Sequence, residues 1–369
     1  MASEPVETTM SYAPQMLNAF LLTVVFVILL QGVAQRAGLL DRPGGRKQHE
    51  GAIPLIGGLA MFPAFVVASL WLEPDARAPW TVMAGLGVLV AMGACDDRFG
   101  LRAASRLAIQ IGAALLIVWH VAPSVVWLRD APLGAFAVPL GVIFVVGLAN
   151  AFNMADGIDG LAGGMGAVAL FWLALAAMAA GRAGAMIATL PLMFAALGFL
   201  VFNLRHRWRS KASAFMGDAG SMMLGAAVAY FTLALAAGEN SAGPMTALLW
   251  ICALPAIETL SLIVRRLRAG HSPMSGDRRH LHHILVDAGI SPARAAAALI
   301  AVSAALGGVG CGAATLGASD AALTTGLGLV VAAHGLAVVK IRALLRFNAR
   351  PAEPELGMQP ASQLERQNA

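Results

Sequence analysis

Charge is what this sequence has least of. Only 12% of its 369 residues are Asp, Glu, Lys or Arg. That is about half of what a soluble globular chain carries, too little to cover the surface of a water-soluble protein of this length. Cysteine is scarce as well. Cys95, Cys252 and Cys311 all lie in apolar stretches, which excludes a secreted disulfide scaffold. The hydrophobic fraction is 59% and the mean hydropathy +0.75, so disorder is excluded and a polytopic helical membrane protein remains. No Lys or Arg precedes the first apolar segment and no small-residue cleavage site follows it. It is therefore expected to be a span and not a cleaved signal peptide. No internal repeat is visible, and the two halves of the chain show none of the symmetry common in inverted-repeat transporters.

A spanning helix needs about 20 mostly apolar residues. The expected fold is all-α, with about eleven transmembrane helices near 16–35, 53–72, 79–95, 104–122, 134–150, 160–180, 185–203, 220–237, 244–264, 294–316 and 321–340. The Lys and Arg residues are placed asymmetrically between these segments. Twenty-two of the 25 fall in the loops after spans 1, 3, 7 and 9 and in the C-terminal tail, and only Arg77, Arg129 and Arg182 lie on the other side. The positive-inside rule then puts the N-terminus outside and the C-terminus in the cytoplasm. A net charge of +5 and a pI near 9.6 are accounted for by topology and by anionic ligands at the basic face, so no nucleic-acid partner is expected. Residues 1–347 read as one transmembrane domain with cytoplasmic loops. The stretch 348–369, rich in Pro, Gln and Glu, reads as a disordered tail.

Acids and amides collect at span ends on the basic side. Cys95-Asp96-Asp97-Arg98 places two carboxylates side by side. Neighbours on a helix diverge by about 100°, so the two should do different jobs; the plainer reading is a solvated pair bonded to Arg98 or Arg102. Between spans 5 and 6, Asn150, Asn153, Asp156 and Asp159 follow one another in steps of three, with Gly157 and Gly160 among them. Such steps hold one helical face, and the glycines permit close backbone approach to a ligand. A metal or ribose site fits, and so does a capping loop with Asp159 as N-cap. Phe215-Met-Gly-Asp-Ala-Gly-Ser221 opens span 8 with small residues and Asp218; exposed N–H groups there suit phosphate, and a simple Asp or Ser cap is the alternative. His280-Leu-His-His283 follows Arg278 and Arg279. Without cysteine, imidazoles beside arginines suit a pyrophosphate better than zinc, or else form an exposed polar loop. The basic first loop, Asp41 to His49 with Lys47, reads as a topological anchor, made more specific by Ile53-Pro-Leu-Ile-Gly-Gly58 after it. Lone His120, His206 and His334 are expected to have no chemical role.

Taken in order from Asp41 to Ile290, these blocks resemble the polyprenyl-phosphate N-acetylhexosamine 1-phosphate transferases. The Asp277-Arg-Arg-His-Leu-His-His283 block is closer to the bacterial undecaprenyl-phosphate N-acetylglucosamine branch than to the muramoyl-pentapeptide branch. The resemblance implies transfer of a sugar 1-phosphate from a UDP-N-acetylhexosamine, UDP-N-acetylglucosamine first among them, to undecaprenyl phosphate in the bacterial inner membrane, releasing UMP. It implies that Asp96 and Asp97 are catalytic, with Asp97 the acid of the two. Asp218 and Asn153 would hold Mg²⁺, with Mn²⁺ as the substitute. Substrate binding would fall to Asn150, Asp156, Gly157 and Asp159 on the nucleotide side, to Arg106 and Lys47 on phosphate, and to Arg265, His280, His282 and His283 on the donor pyrophosphate. A homodimer is also implied. Glu258 stands where the family commonly has Asp, and Met274 and Gly276 replace the usual Phe and Pro. The rival class is a secondary transporter of an anionic metabolite, against which the acids and histidines gather at one interface and not at the bilayer midplane.

Overall fold

The computed structural model describes residues 12–42, 51–119, 121–125, 134–205, 209, 211–238, 241–270 and 280–348. Lys47, Arg278, Arg279 and the tail 349–369 lie outside the described residues. Helices dominate: α1 (Ala13–Ala37), α2 (Gly57–Leu70), α3 (Trp80–Phe99), α4 (Ala103–Val118), α5 (Ala137–Ala155), α6 (Leu161–Ala179), α7 (Ala183–Asn203), α8 (Gly217–Ala236), α9 (Met245–Leu248), α10 (Ala253–Arg268), α11 (Leu281–Asp287), α12 (Pro292–Thr315) and α13 (Asp320–Asn348). A small antiparallel ladder, β1 (Leu40–Asp41) with β2 (Ile53–Pro54), sits between α1 and α2.

The chain is a polytopic α-helical membrane protein. Among the described residues, nine helical stretches are long and apolar enough to cross a membrane, by length and composition, and α2 and α4 are shorter apolar helices. Together they occupy the eleven stretches expected from hydropathy. The differences at the edges have local causes. The second expected span starts late because Ile53 and Pro54 pair with β1, and Leu55 bridges to Phe215. The ninth is interrupted: α9 passes through a 3-10 turn, Leu249–Cys252, into α10. Pro255 has no N–H to give the preceding turn and its ring crowds the carbonyl four residues back, which is Ile251 in that turn.

The core is organised around α8. Ninety-four per cent of its span is buried, against 22% for α1 and 17% for α13, so α8 is the central pole and the first and last helices are peripheral. Between helices in lipid, small residues supply close packing because there is little hydrophobic force to gain. Here a Cβ at Gly58 would collide with the backbone of Gly220, and a Cβ at Gly93 with the backbone of Ala219. Helices α2 and α3 thus meet α8 backbone to backbone. At the far end of α8, Arg182 donates to the carbonyls of Ala234 (2.9 Å) and Leu235 (3.2 Å), satisfying acceptors that a helix C-terminus leaves open.

Replacing Gly93 by Leu is expected to destabilise the protein by at least the ~1–3 kcal/mol of an overpacked core, because the obstacle is backbone. Gly112→Leu, where nothing lies within 4 Å of the new Cβ, should leave the melting temperature in detergent unchanged. Thermal unfolding of the two variants side by side checks this.

Candidate active site

Three helix ends meet at the N-terminus of α8. Helix α3 closes on Gly100, and the Leu101 N–H donates to Asp96 Oδ1 at 2.7 Å. The other oxygen of Asp96 is held by Arg106 at 2.7 Å. Asp96 is therefore committed to the turn between α3 and α4. Asp97, next in sequence, faces the other way: its Oδ1 accepts from the Asp218 N–H at 3.1 Å. Room for it exists because residue 217 is glycine. With φ of 70°, Gly217 takes the left-handed conformation, and a Cβ there would sit against Asp97 Oδ2. The adjacent acids hold different partners, as divergence on a helix requires.

Asp218 lies in the first turn of α8. Asn153 donates to its Oδ1 at 2.7 Å and to Ser221 Oγ at 3.1 Å, and Ser221 in turn donates to the Gly217 carbonyl at 3.0 Å. Arg106 stands 3.7 Å from Asp218 Oδ2, so one guanidinium links the carboxylates of α3 and α8. Asp156 ends α5 beside this group. Burial, then the charges of Asp218, Asp97 and Asp159, push its carboxyl up to about 8. Carboxylate is in excess here. The donor set is all oxygen, which suits a hard divalent cation. Among the described residues no three His, Cys, Asp or Glu side chains form a ready-made metal cage, and Arg106 and Asn153 stand against the Asp218 carboxylate.

The imidazoles form the second half of the site. His280 and His282 stack with centroids 5.3 Å apart, and His283 is tilted 4.3 Å from His282. His282 lies against Gly157 so closely that a Cβ at 157 would collide with its ring. That contact joins the acid half to the imidazole half. Arg265 and His280 share the carboxylate of Glu258, at 3.5 and 3.9 Å from Oε1.

A family model described as glycosyl transferase family 4 matches residues 79–236, from α3 through α8. The undecaprenyl-phosphate alpha-N-acetylglucosaminyl 1-phosphate transferase of Escherichia coli (strain K12) is 34% identical over 306 residues, covering 80% of this chain and 82% of that protein. Its counterpart of the same name from Yersinia pestis is 33% identical over 307 residues, with the same coverage. That of Haemophilus influenzae is 34% identical over 301 residues, 79% of this chain and 84% of that protein. The chain belongs to glycosyl transferase family 4.

Within this family 4 member, the structure brings Asp96, Asp97, Arg106, Asn153, Asp156 and Asp218 into one cluster and joins it to His280, His282 and His283 through Gly157. Two expected ligands are engaged elsewhere. Asn150 exchanges hydrogen bonds with Gln110 and donates to the Val146 carbonyl at 2.8 Å, facing α4. Asp159 is no N-cap of α6; that position is Gly160. Its carboxylate instead takes Arg205 Nε at 2.6 Å and the Ala212 N–H at 3.1 Å, bracing the connection between α7 and α8. The backbone N–H of Asp218, expected to be open to phosphate, carries Asp97.

Several participants were missed in the sequence. Asn203 accepts from the Gly160 N–H and donates to the Ala214 carbonyl, and no spacing signals it. Glu258 and His334, by contrast, are polar residues inside apolar spans, where an ionisable group needs a partner. Each was legible as half of a pair: they are 2.6 Å apart.

Because Asp156 titrates near 8 in the folded protein and near 3.8 as a free side chain, its effect on stability has a definite sign. The unfolded chain loses the proton first, so stability falls as pH rises between those values. Asp156→Asn is expected to flatten this decline and to raise the melting temperature at pH 8.5 in cation-free buffer by clearly more than at pH 5; melting curves across that range check it.

Proposed function

We propose that this protein transfers N-acetylglucosamine 1-phosphate from UDP-N-acetylglucosamine to undecaprenyl phosphate, releasing UMP. The observation that carries the reading is the joined site: carboxylates from three helix ends on one side, stacked imidazoles on the other, meeting at Gly157 and His282. The acceptor and the sugar come from the names of the relatives.

The chemistry follows from charge. Both substrates are anionic, so the barrier is largely electrostatic, and fixed groups at the developing charge are the main source of rate. An oxygen of the lipid phosphate attacks the β-phosphorus of the donor, a new P–O bond forms, and the bond to the α-phosphate oxygen breaks as UMP leaves. A phosphate monoester has a second pKa near 6, so at neutral pH the nucleophile is mostly ready and no strong base is required. Asp97, held by the Asp218 N–H in the first turn of α8, would orient the lipid phosphate and take any remaining proton. Asp218 and Asn153 would hold Mg²⁺, with Mn²⁺ the alternative, and the ion would supply charge neutralisation at the donor pyrophosphate. An oxygen donor set without a full protein cage suits Mg²⁺, which is commonly completed by substrate phosphates and water. His280, His282, His283 and Arg265 would receive the charge that builds on the leaving UMP.

The same reading puts the site at the cytoplasmic face of the inner membrane. Support comes from the segregation of Lys and Arg and from the substrates themselves: a UDP-sugar is water-soluble, the acceptor is a lipid, and they can meet only at the interface. The Lys and Arg residues of the loops on that side would raise the local concentration of anionic donor.

The test is UMP release by detergent-purified protein given undecaprenyl phosphate, Mg²⁺ and a panel of UDP-sugars. Release is expected with UDP-N-acetylglucosamine, to stop with a chelator and to return with Mg²⁺. Asp97→Asn and Asp218→Asn should each lower the rate by about 100-fold or more. Release with another UDP-sugar alone would change the donor and keep the mechanism. No release with any donor from folded protein would return the transporter reading.

A further inference from the structure

Helix α13 is the most exposed span of the molecule, yet it carries a buried histidine whose partner belongs to the site. His334 is 9% exposed and Glu258 8%, and His334 Nε2 lies 2.6 Å from Glu258 Oε2. The other oxygen, Oε1, accepts from the Leu281 N–H at 2.8 Å, the first backbone donor of α11. Arg265 Nη2 and His280 Nδ1 lie 3.5 and 3.9 Å from that same oxygen. One carboxylate thus holds the last helix with one oxygen and the start of the His280-Leu-His-His283 segment with the other.

The hydrogen-bond pattern settles which proton is shared. His334 Nδ1 is buried with no hydrogen-bond partner among the described residues. A doubly protonated ring would leave a buried N–H unsatisfied there, whereas a bare lone pair costs less. His334 is therefore assigned as the donor, Nε2–H to the Glu258 carboxylate, with Arg265 beside the other oxygen.

We infer that Glu258 and His334 are positioning residues for donor binding: the His334 hydrogen bond fixes the Glu258 carboxylate, which orients His280 and the first turn of α11 against Gly157. This inference rests on the proposed function, because it assigns the imidazole half to the nucleotide donor. Helix α13 is also tied to α9 and the following turn by Thr246 Oγ1 to Asp320 (2.8 Å) and Trp250 Nε1 to the Leu323 carbonyl (3.3 Å). Those ties lie at the start of α13, about three turns or more before His334, and touch no site residue, so they separate docking of the helix from orientation of the histidines.

The experiment measures KM for UDP-N-acetylglucosamine and for undecaprenyl phosphate separately, with melting temperature alongside, in His334→Leu, His334→Gln, Glu258→Gln and Thr246→Val. Loss of one hydrogen bond to a charged group corresponds to about 10- to 100-fold. His334→Leu and Glu258→Gln should raise the donor KM by that amount and leave the lipid KM within about twofold. His334→Gln, whose amide can still donate to Glu258, should recover most of the loss. Thr246→Val should leave the donor KM unchanged. If His334→Leu does not fold, Glu258→Gln carries the same comparison. An unchanged donor KM in the folded variants, an equal rise in both KM values, or an equal rise in Thr246→Val overturns the inference while the function stands. A wild-type protein that releases no UMP overturns the function and the inference together.

Discussion

Everything at the site depends on how closely α8 is allowed to approach its neighbours. Lipid offers helices no strong apolar drive to associate, so proximity has to come from small residues and satisfied polar groups. Gly93 gives α3 its contact with the backbone at Ala219, and Asp97 stands one turn further along the same face of α3. Seating the glycine on Ala219 therefore delivers the carboxylate to the Asp218 N–H. Gly58 does the equivalent for α2 at Gly220. Packing and the geometry of the carboxylate cluster are set by the same few contacts, and a side chain at Gly93 would alter both.

A second constraint is charge. Asp96, Asp97, Asp156 and Asp218 crowd together with Arg106 as the guanidinium between them. Such a cluster is tolerable in a partly wet pocket if it can shed charge by holding protons or gain a cation. The high titration point of Asp156 is the first of these; binding of a divalent ion would be the second, and it would drive the proton off. On the imidazole side, among the described residues, the Glu258 carboxylate is met by Arg265 and His334. The acid half thus carries the surplus of carboxylate, and the imidazole half carries one carboxylate, Glu258, among its histidines and Arg265.

Much of this arrangement can be read from the chain. Apolar length gives the eleven helical stretches, and the coincidence of acids with span ends gives the candidate cluster. Steps of three from Asn150 to Asp159 show that these residues could share a face, but not what stands opposite. The helix carries Asn150 toward Gln110 on α4 and Asn153 toward Asp218 on α8, and Asp159 turns away to Arg205. Periodicity within one helix defines its faces; the partner across an interface depends on rotations and depths that a local pattern does not encode. The same limit explains why Asp96 pairs with Arg106 and not with Arg98 or Arg102, which are nearer in sequence. His334 was expected to have no chemical role for a related reason: the carboxylate that holds it lies 76 positions away.

Arg182 adds a point about how such a chain signals its orientation. It is one of three Lys or Arg residues on the sparsely charged side of the sequence, yet its guanidinium is taken up by the last carbonyls of α8. A cation bonded in that way closes a helix end and is withdrawn from the pool that interacts with lipid headgroups. Arg106, Arg205 and Arg265, on the basic side of the sequence, are engaged in the same way by carboxylates, so folding withdraws cations from both sides. Insertion machinery, which meets the chain before α8 is enclosed, would read the full count of cations, and the folded protein presents a smaller one.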